Sequence, residues 1–314
     1  MWGAAVAKNR KTGRMLAALV SLCAAGSAVA APLTVCMSGD NAPLSYQVKG
    51  QPRGLDLRIA QAAAAALGRE LVVLPFESDY EKESSLTHEV NALLSAGLCD
   101  AASGFPLLAS DLGPATRPSS RTPDYPGAKR KRERPFVALG TLAPSRAYQA
   151  VALGVVLRDA TQPLNRLDDL GERRLGAVSG TMASAAAMGW HNGELRPRLV
   201  SLTQREDALA ELAKPSGSLI DAAFVPLAMF DGWKLSHPGT PLAAAAYRRA
   251  IGINLGFVTL APAAEVRAAF DRVIVDALAD GRLARWAAEE GVSWSAPVLP
   301  EVSRGPTMAD LTAD

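Results

Sequence analysis

Histidine is nearly absent. His88, His191 and His237 are the only three in 314 residues, and none has a second ligand at metal-binding spacing beside it, so no metal site is expected. No GxxxxGK[ST] phosphate loop occurs, and Gly176-Ala-Val-Ser-Gly180 lacks the glycine arrangement of a nucleophile elbow. The adjacent carboxylates Asp168-Asp169 and Glu289-Glu290 fall in expected helices, where neighbouring side chains point apart. They read as solvated faces rather than an acid–base pair. No catalytic set stands out, and no cofactor is expected. Long apolar runs are also missing: Met15 to Ala25 falls short of the about 20 residues a helix needs to cross a bilayer.

That short run follows Lys8, Arg10, Lys11 and Arg14 and leads to Ala28-Val-Ala30, the three parts of an export signal covering residues 1–30. Removing it takes the 33 basic residues to 29 against 31 acidic ones. A nearly neutral mature chain gives no reason to expect nucleic-acid binding. Export places the chain in the periplasm and leaves Cys36 and Cys99, which are either a disulfide, if their strands are neighbours, or two buried thiols.

The first regular segment, Leu33 to Ser38, is an apolar strand ending in Gly39, Asp40 and Asn41. A strand that stops in polar residues before a helix opens a crevice at its carboxyl end. Leu55, Ile59, Ala63, Ala66 and Leu67 then recur at helical spacing up to Gly68. Leu71 to Pro75 reads as a second strand, a helix capped by Ser84 or Ser85 runs to Gly97, and Asp100 to Gly104 leads out of a third strand. Alternating strands and helices predict an α/β fold with a parallel sheet. Residues 106–147, with seven prolines between Pro106 and Pro144, read as a surface excursion. Its cluster Lys129-Arg-Lys-Arg-Glu-Arg134 is either a solvated loop or a docking patch for an acidic partner.

Regular structure resumes with an apolar strand from Gln149 to Leu157. Leu175 to Thr181 reads as strand, turn and helix start, with Ser179, Gly180 and Thr181 offering hydroxyls and N–H groups to a ligand oxygen. Ser201 to Ala213 reads as a helix, Leu219 to Val225 and Ala250 to Thr259 as strands, and Glu265 onward as helices broken at Asp280-Gly281. The polar tail, residues 297–314, is expected to be loose.

Together, Asn41-Ala-Pro-Leu-Ser-Tyr46, Arg53-Gly-Leu-Asp-Leu57, Leu94 to Asp100, Ser145-Arg-Ala-Tyr148, Ser179-Gly-Thr181, Leu219 to Ala223 and Ala279-Asp-Gly-Arg-Leu283 resemble the type II periplasmic solute-binding proteins of the polar amino-acid class. Leu33-Thr-Val-Cys36, Ser95 to Asp100 and Gly104-Phe-Pro106 are similar to a MoxJ-like branch associated with quinoprotein dehydrogenases. The resemblance implies two α/β lobes, each a mostly parallel sheet flanked by helices, joined by two crossing strands near Val156 to Asp159 and Tyr247 to Gly252. Lobe 1 is expected over 31–156 and 253–296, and lobe 2 over 157–252. The implied ligand contacts are Asp40, Asn41, Tyr46, Ser103, Gly104, Phe105, Ser179, Gly180 and Thr181.

Two departures matter. Amino-acid binders of this class keep an arginine just past the third strand, but Ser103 to Ala109 contains none; they keep an acidic residue where this chain has Pro226. A buried ligand charge left unpaired is unfavourable by several kcal/mol, on the order of the desolvation penalty for one ion. The expectation is therefore a monomeric, non-enzymatic clamp for a small polar ligand other than a free α-amino acid. It would present that ligand to a membrane permease of the ABC type. The alternatives are an accessory to a periplasmic dehydrogenase or cytochrome, and a lyase similar to cyclohexadienyl dehydratase.

Overall fold

The computed structural model describes residues 1–4, 30–78, 85–158 and 164–312. The expected export signal falls in a separate unit, residues 1–30, and its residues 5–29 lie outside those described, as do the alternative cap Ser84 and the expected crossing end at Asp159.

Strand β1 (Leu33–Ser38) directs Leu33, Val35 and Met37 to one face of a sheet and Cys36 to the other. A small hairpin sheet, β2 (Asp40–Asn41), β3 (Ser45–Val48) and β4 (Gln51–Arg53), leads to helix α1 (Leu55–Ala66). The helix begins at Gly54, whose φ is 112°. A Cβ there would lie 2.3 Å from the Leu44 carbonyl oxygen, so only glycine fits the turn. Strand β5 (Leu71–Phe76), helix α2 (Leu86–Ser95) and strand β6 (Ala101–Pro106) complete the first α/β layer, with Ser85 capping α2 by accepting from His88 N.

Residues 106–147 are stitched to that layer. The excursion contains β7 (Ser119–Ser120), β8 (Val137–Ala138) and β9 (Leu142–Pro144). The Asn91 side chain bonds both the N–H and the carbonyl of Gly140. The basic cluster is neither uniformly solvated nor uniformly displayed. Arg134 is 7% exposed and donates to the carbonyls of Lys129, Thr122 and Pro123, with Asp124 Oδ1 at 3.2 Å. One cation thus brackets the loop from inside, while Lys129, Arg130 and Arg132 stay exposed.

Strand β10 (Gln149–Leu157) enters the second half, followed by β11 (Leu175–Val178), α3 (Met182–Gly189), β12 (Leu199–Leu202), α4 (Ala208–Ala213), β13 (Ala222–Pro226) and α5 (Leu227–Ser236). The eighteen-residue strand β14 (Ala243–Leu260) returns, and α6 (Ala264–Ala279) and α7 (Arg282–Glu289) close the first half. Two elements depart from the sequence reading. The expected helix start at Ser201 is the edge strand β12, because the helix waits for its cap at Asp207, which accepts from Leu209 N and Ala210 N. Helix α5 had no counterpart in that reading.

The main sheet runs β12-β11-β13-β10-β14-β6-β1-β5, with β9 also on β14. Strands β1, β5 and β6 are parallel, as are β11, β12 and β13. The crossing strands β10 and β14 run antiparallel to each other and to the strands they flank. Each half of the sheet has a core on both faces. The change of core along β10 comes at Val151, which packs against both halves, while Leu153, Val155 and Leu157 already belong to the second. The expected crossing at Val156 is thus about five residues late, since an unbroken apolar run carries no mark of which core it serves.

The tail is docked rather than loose. Asn254, fully buried, accepts from Val298 N and donates to the carbonyls of Val298 and Glu301. Glu301 pairs with Arg146 and accepts from Ala147 N, and Ser303 exchanges backbone bonds with Leu107 and Ala109. The chain ends in α8 (Met308–Thr312), whose Leu311 is buried in the second-half core. Buried partners, not local composition, order this segment.

Cys36 and Cys99 form a disulfide across 63 residues of sequence. Loop closure of that length stabilises the folded chain by about 4 kcal/mol in the chain-entropy model. Replacing both cysteines by serine should lower the urea unfolding free energy by about 2–4 kcal/mol; reductant should then have no further effect on the variant. An unchanged midpoint would show that the bridge does not form.

Candidate functional site

Two strands end side by side at one edge of the first half, β1 at Ser38 and β5 at Phe76, and the middle of β6, at Ser103-Gly104, runs beside the end of β1. The turns beyond them enclose a cavity of about 210 Å³ whose lining includes Ser38, Asp40, Asn41, Ser45, Ser103 and Gly104. Phe76 and Leu86 give it an apolar flank. Asp40 accepts a 2.7 Å bond from Ser38 Oγ. No lysine, arginine or histidine is among the lining residues, so this pocket is polar and acidic.

Behind its floor lies a fully buried carboxyl, Asp56, in the first turn of α1. Tyr148 Oη, also fully buried, donates to Asp56 Oδ1 at 2.7 Å. Ser103 Oγ faces the same carboxyl without well-formed hydrogen-bond geometry, so Ser103 Oγ and Asp56 Oδ2 have no hydrogen-bond partner among the described residues. Burial pushes the Asp56 carboxyl up to about 6, and the Tyr148 and Ser103 hydroxyls offset only part of that desolvation. The Tyr148 hydroxyl is pushed well above its ordinary range, first by burial and then by the Asp56 charge, against the opposing Gly104 N–H. A Cβ on Gly104, where φ is 64°, would be strained and would press on Asp56 Oδ2 at 3.3 Å, so glycine lets the backbone lie close over the carboxyl.

The structure gathers Asp40, Asn41, Ser103 and Gly104 around one cavity. Tyr46 sits opposite Asp40 in the hairpin and is not among the residues lining that cavity. Phe105 does not fit the expected role through its side chain: it is 1% exposed and packs with Val90, Leu93 and Val258 on the far face. Ser179, Gly180 and Thr181 lie at the end of β11 and line no described cavity with the first-half residues. The Thr181 hydroxyl is engaged locally, accepting from Ser184 N and donating to Val178 O.

The two halves also touch beside the cavity. A Cβ on Gly232 of α5 would lie 2.7 Å from the Ala42 carbonyl oxygen, and Asp231 accepts from Ser293 N and Oγ. Desolvation raises the Asp231 carboxyl, with the Ser293 bonds opposing.

Two residues that sequence reasoning passed over as site members, Asp56 and Tyr148, hold the floor together. A signal existed: Asp56, Ile59, Ala60 and Ala63 are one helical stripe, and a carboxyl within a buried stripe needs a partner. The reading of isolated histidines also changes. Folding brings His191 Nδ1 to 3.1 Å from Glu194 and 3.9 Å from Asp168 in an exposed cluster. There Asp168 is further held by Arg166 and Trp190.

No family model and no curated protein matches this chain in sequence. Solved structures do match in shape. The second substrate-binding domain of a putative amino-acid ABC transporter from Streptococcus pneumoniae superposes with a TM-score of 0.57 at 14% identity, covering 82% of this chain and 99% of that one. Substrate-binding domain 2 of GlnP from Lactococcus lactis, in an open conformation, gives 0.57 at 16% identity over 84% and 96%. An ancestral cyclohexadienyl dehydratase gives 0.53 at 16% identity over 83% and 92%. At such identities the likeness shows the fold, that of two-lobed periplasmic binding proteins. The presence of a dehydratase among the matches means that this fold does not exclude catalysis.

The buried carboxyl sets a pH dependence. Its folded-state pKa of about 6 exceeds the 3.8 of an ordinary aspartate, so its contribution to stability is fully present below about pH 4. That contribution is lost as pH rises through 6, about 3 kcal/mol in all. In Asp56→Asn this component should vanish, so the stability difference between variant and parent should change by roughly that amount between pH 4 and 7. Parallel urea-unfolding profiles across that range would show that the carboxyl does not titrate there.

Proposed function

We propose that the protein is an extracytoplasmic, non-enzymatic solute-binding protein that closes on a small polar ligand and presents it to an ABC-type transporter. The observation that carries this reading is the polar cavity at the carboxyl ends of β1 and β5, beside Ser103-Gly104 of β6, the place where open α/β sheets bind ligands. Its lining argues for the ligand class. With Asp40 at the rim, Asp56 behind the floor and no basic side chain around it, the cavity disfavours a carboxylate and suits an amine or a neutral hydroxyl compound. Pro226, where amino-acid binders of the resembling class keep an acid, ends β13 and immediately precedes α5, so the second half supplies no anchor for an α-amino group there. Among the described residues no helix is long and apolar enough to cross a membrane, which agrees with a protein working at a membrane only through a partner.

The test is a thermal-shift screen of the purified protein against amines, polyols and α-amino acids. A true ligand at a hundredfold its dissociation constant should stabilise the protein by about 2.7 kcal/mol. Asn41→Ala and Ser103→Ala should weaken that stabilisation. Stabilisation by α-amino acids alone, or by nothing in the panel, would refute the ligand class.

A second reading, an accessory to a periplasmic quinoprotein dehydrogenase or its cytochrome, rests on the excursion. Arg134 fixes the loop from within, and this displays Lys129, Arg130 and Arg132 on a firm base, a surface suited to an acidic protein partner. Changing those three to glutamine should abolish co-purification with such a partner while leaving the melting temperature unchanged. Retained co-purification would remove the cluster from the account.

A further inference from the structure

Strand β14 carries two adjacent arginines, and neither is ion-paired with a carboxylate among the described residues. Arg248 Nη1 donates to the Trp294 carbonyl at 3.1 Å and Arg249 Nη2 to the Asp310 carbonyl at 2.6 Å. The Arg249 Nε is buried and has no hydrogen-bond partner among the described residues. Its guanidinium carbon stands 5.7 Å from the centre of the Trp190 ring. Both arginines line a cavity of about 430 Å³, walled by Trp190, Tyr247 and Gly252 on one side and by Val298 and Asp310 of the docked tail on the other. That volume lies within the roughly 300–1,000 Å³ of small-molecule sites.

The cavity is separate from the one beside Asp40, Asn41 and Ser103, with which it shares no lining residue. Trp190 follows the C-terminal end of α3, whose N-terminal end at Thr181 lies at the carboxyl end of β11. Eight helical residues put the two ends about 12 Å apart. The Asp310 carboxylate, the one acid in the lining, already accepts from Thr307 N and Oγ1.

We propose that this cavity binds a small organic carboxylate, held by the Arg248 and Arg249 guanidiniums against the Trp190 and Tyr247 rings. The argument is one of matching chemistry. A carboxylate presents two coplanar acceptors to a guanidinium fork, it adds to the partial compensation that Asp310 gives Arg249 and Asp231 gives Arg248, and the aromatic wall takes the carbon skeleton. Because the walls come from a crossing strand and from the tail, occupancy ties the tail to β14 where the sheet passes from one half to the other.

Isothermal titration of the full chain with sodium benzoate at constant ionic strength, with sodium chloride as the reference, tests the site. The expected result is saturable one-to-one binding that Arg249→Gln weakens by about tenfold or more, the loss typical of a charge-assisted bond. Arg249→Lys should fall between the two, and Arg174→Gln, whose side chain pairs with Asp221 elsewhere, should match the parent. If Arg249→Gln does not fold, Arg248→Gln carries the same expectation. Absence of saturable heat, equal affinity in Arg249→Gln and Arg174→Gln, or loss of benzoate binding in Asn41→Ala would each overturn the proposal. Only the last of these outcomes bears on the first-half cavity, where it would place a carboxylate; the first two leave the reading of that cavity untouched.

Discussion

The bond between Tyr148 and Asp56 joins the three parts of the first half that must meet for a ligand cavity to exist. Asp56 belongs to the opening turn of α1, Tyr148 to the approach to crossing strand β10, and Gly104, whose N–H faces the Tyr148 hydroxyl, to the middle of β6. A carboxyl stripped of water is tolerable only when hydrogen-bonded or protonated, and here it is partly each. The same groups fix the cavity floor, so the requirement to satisfy one buried acid also sets the shape of the site. The ring of Tyr148 continues inward against Phe257, which stacks on Phe270 of α6, linking the floor to the core.

From that floor the architecture extends across the crossing strands. β14 pairs with β10 for most of its length and with β6 and β9 at its end, so one ladder belongs to both halves. Two further ties cross between the halves: Asp231 with Ser293, and the tail, which leaves Asn254 and Arg146 and finishes in the second-half core at Leu311. A two-lobed protein with so many bridges between its lobes spends its freedom of movement at few places. Val151, packed against both cores, is where the chain passes between them.

The excursion follows the same logic on a smaller scale. The proline-rich stretch builds only the two-residue β7–β8 ladder of its own, so it borrows further order from Asn91, which clamps Gly140, and from Arg134, whose guanidinium donates to the carbonyls of Thr122, Pro123 and Lys129. Around the buried guanidinium those carbonyl dipoles stand in for water. Composition had grouped it with its exposed neighbours.

Much of the fold was legible in the sequence because its signals are local. Short apolar runs exposed β1 and β5, period-3.6 apolar patterns exposed α1, α2 and α6, and the polar residues after β1 and within β6 pointed to Asp40, Asn41, Ser103 and Gly104. The four-residue strand β12 and helix α5 were not found. The first is too short for its alternation to register, and the second mixes apolar and polar residues without a strong stripe. What only the tertiary structure decided concerns pairs distant in the chain: the Cys36–Cys99 bridge, the Asp56–Tyr148 bond across 92 residues, the docking of the tail on Asn254, and the burial of Arg134 and Phe105. Hydropathy along a chain reports whether a residue prefers burial. Which partner satisfies it there depends on what the fold brings within about 3 Å, the reach of a hydrogen bond, and no linear pattern encodes that distance.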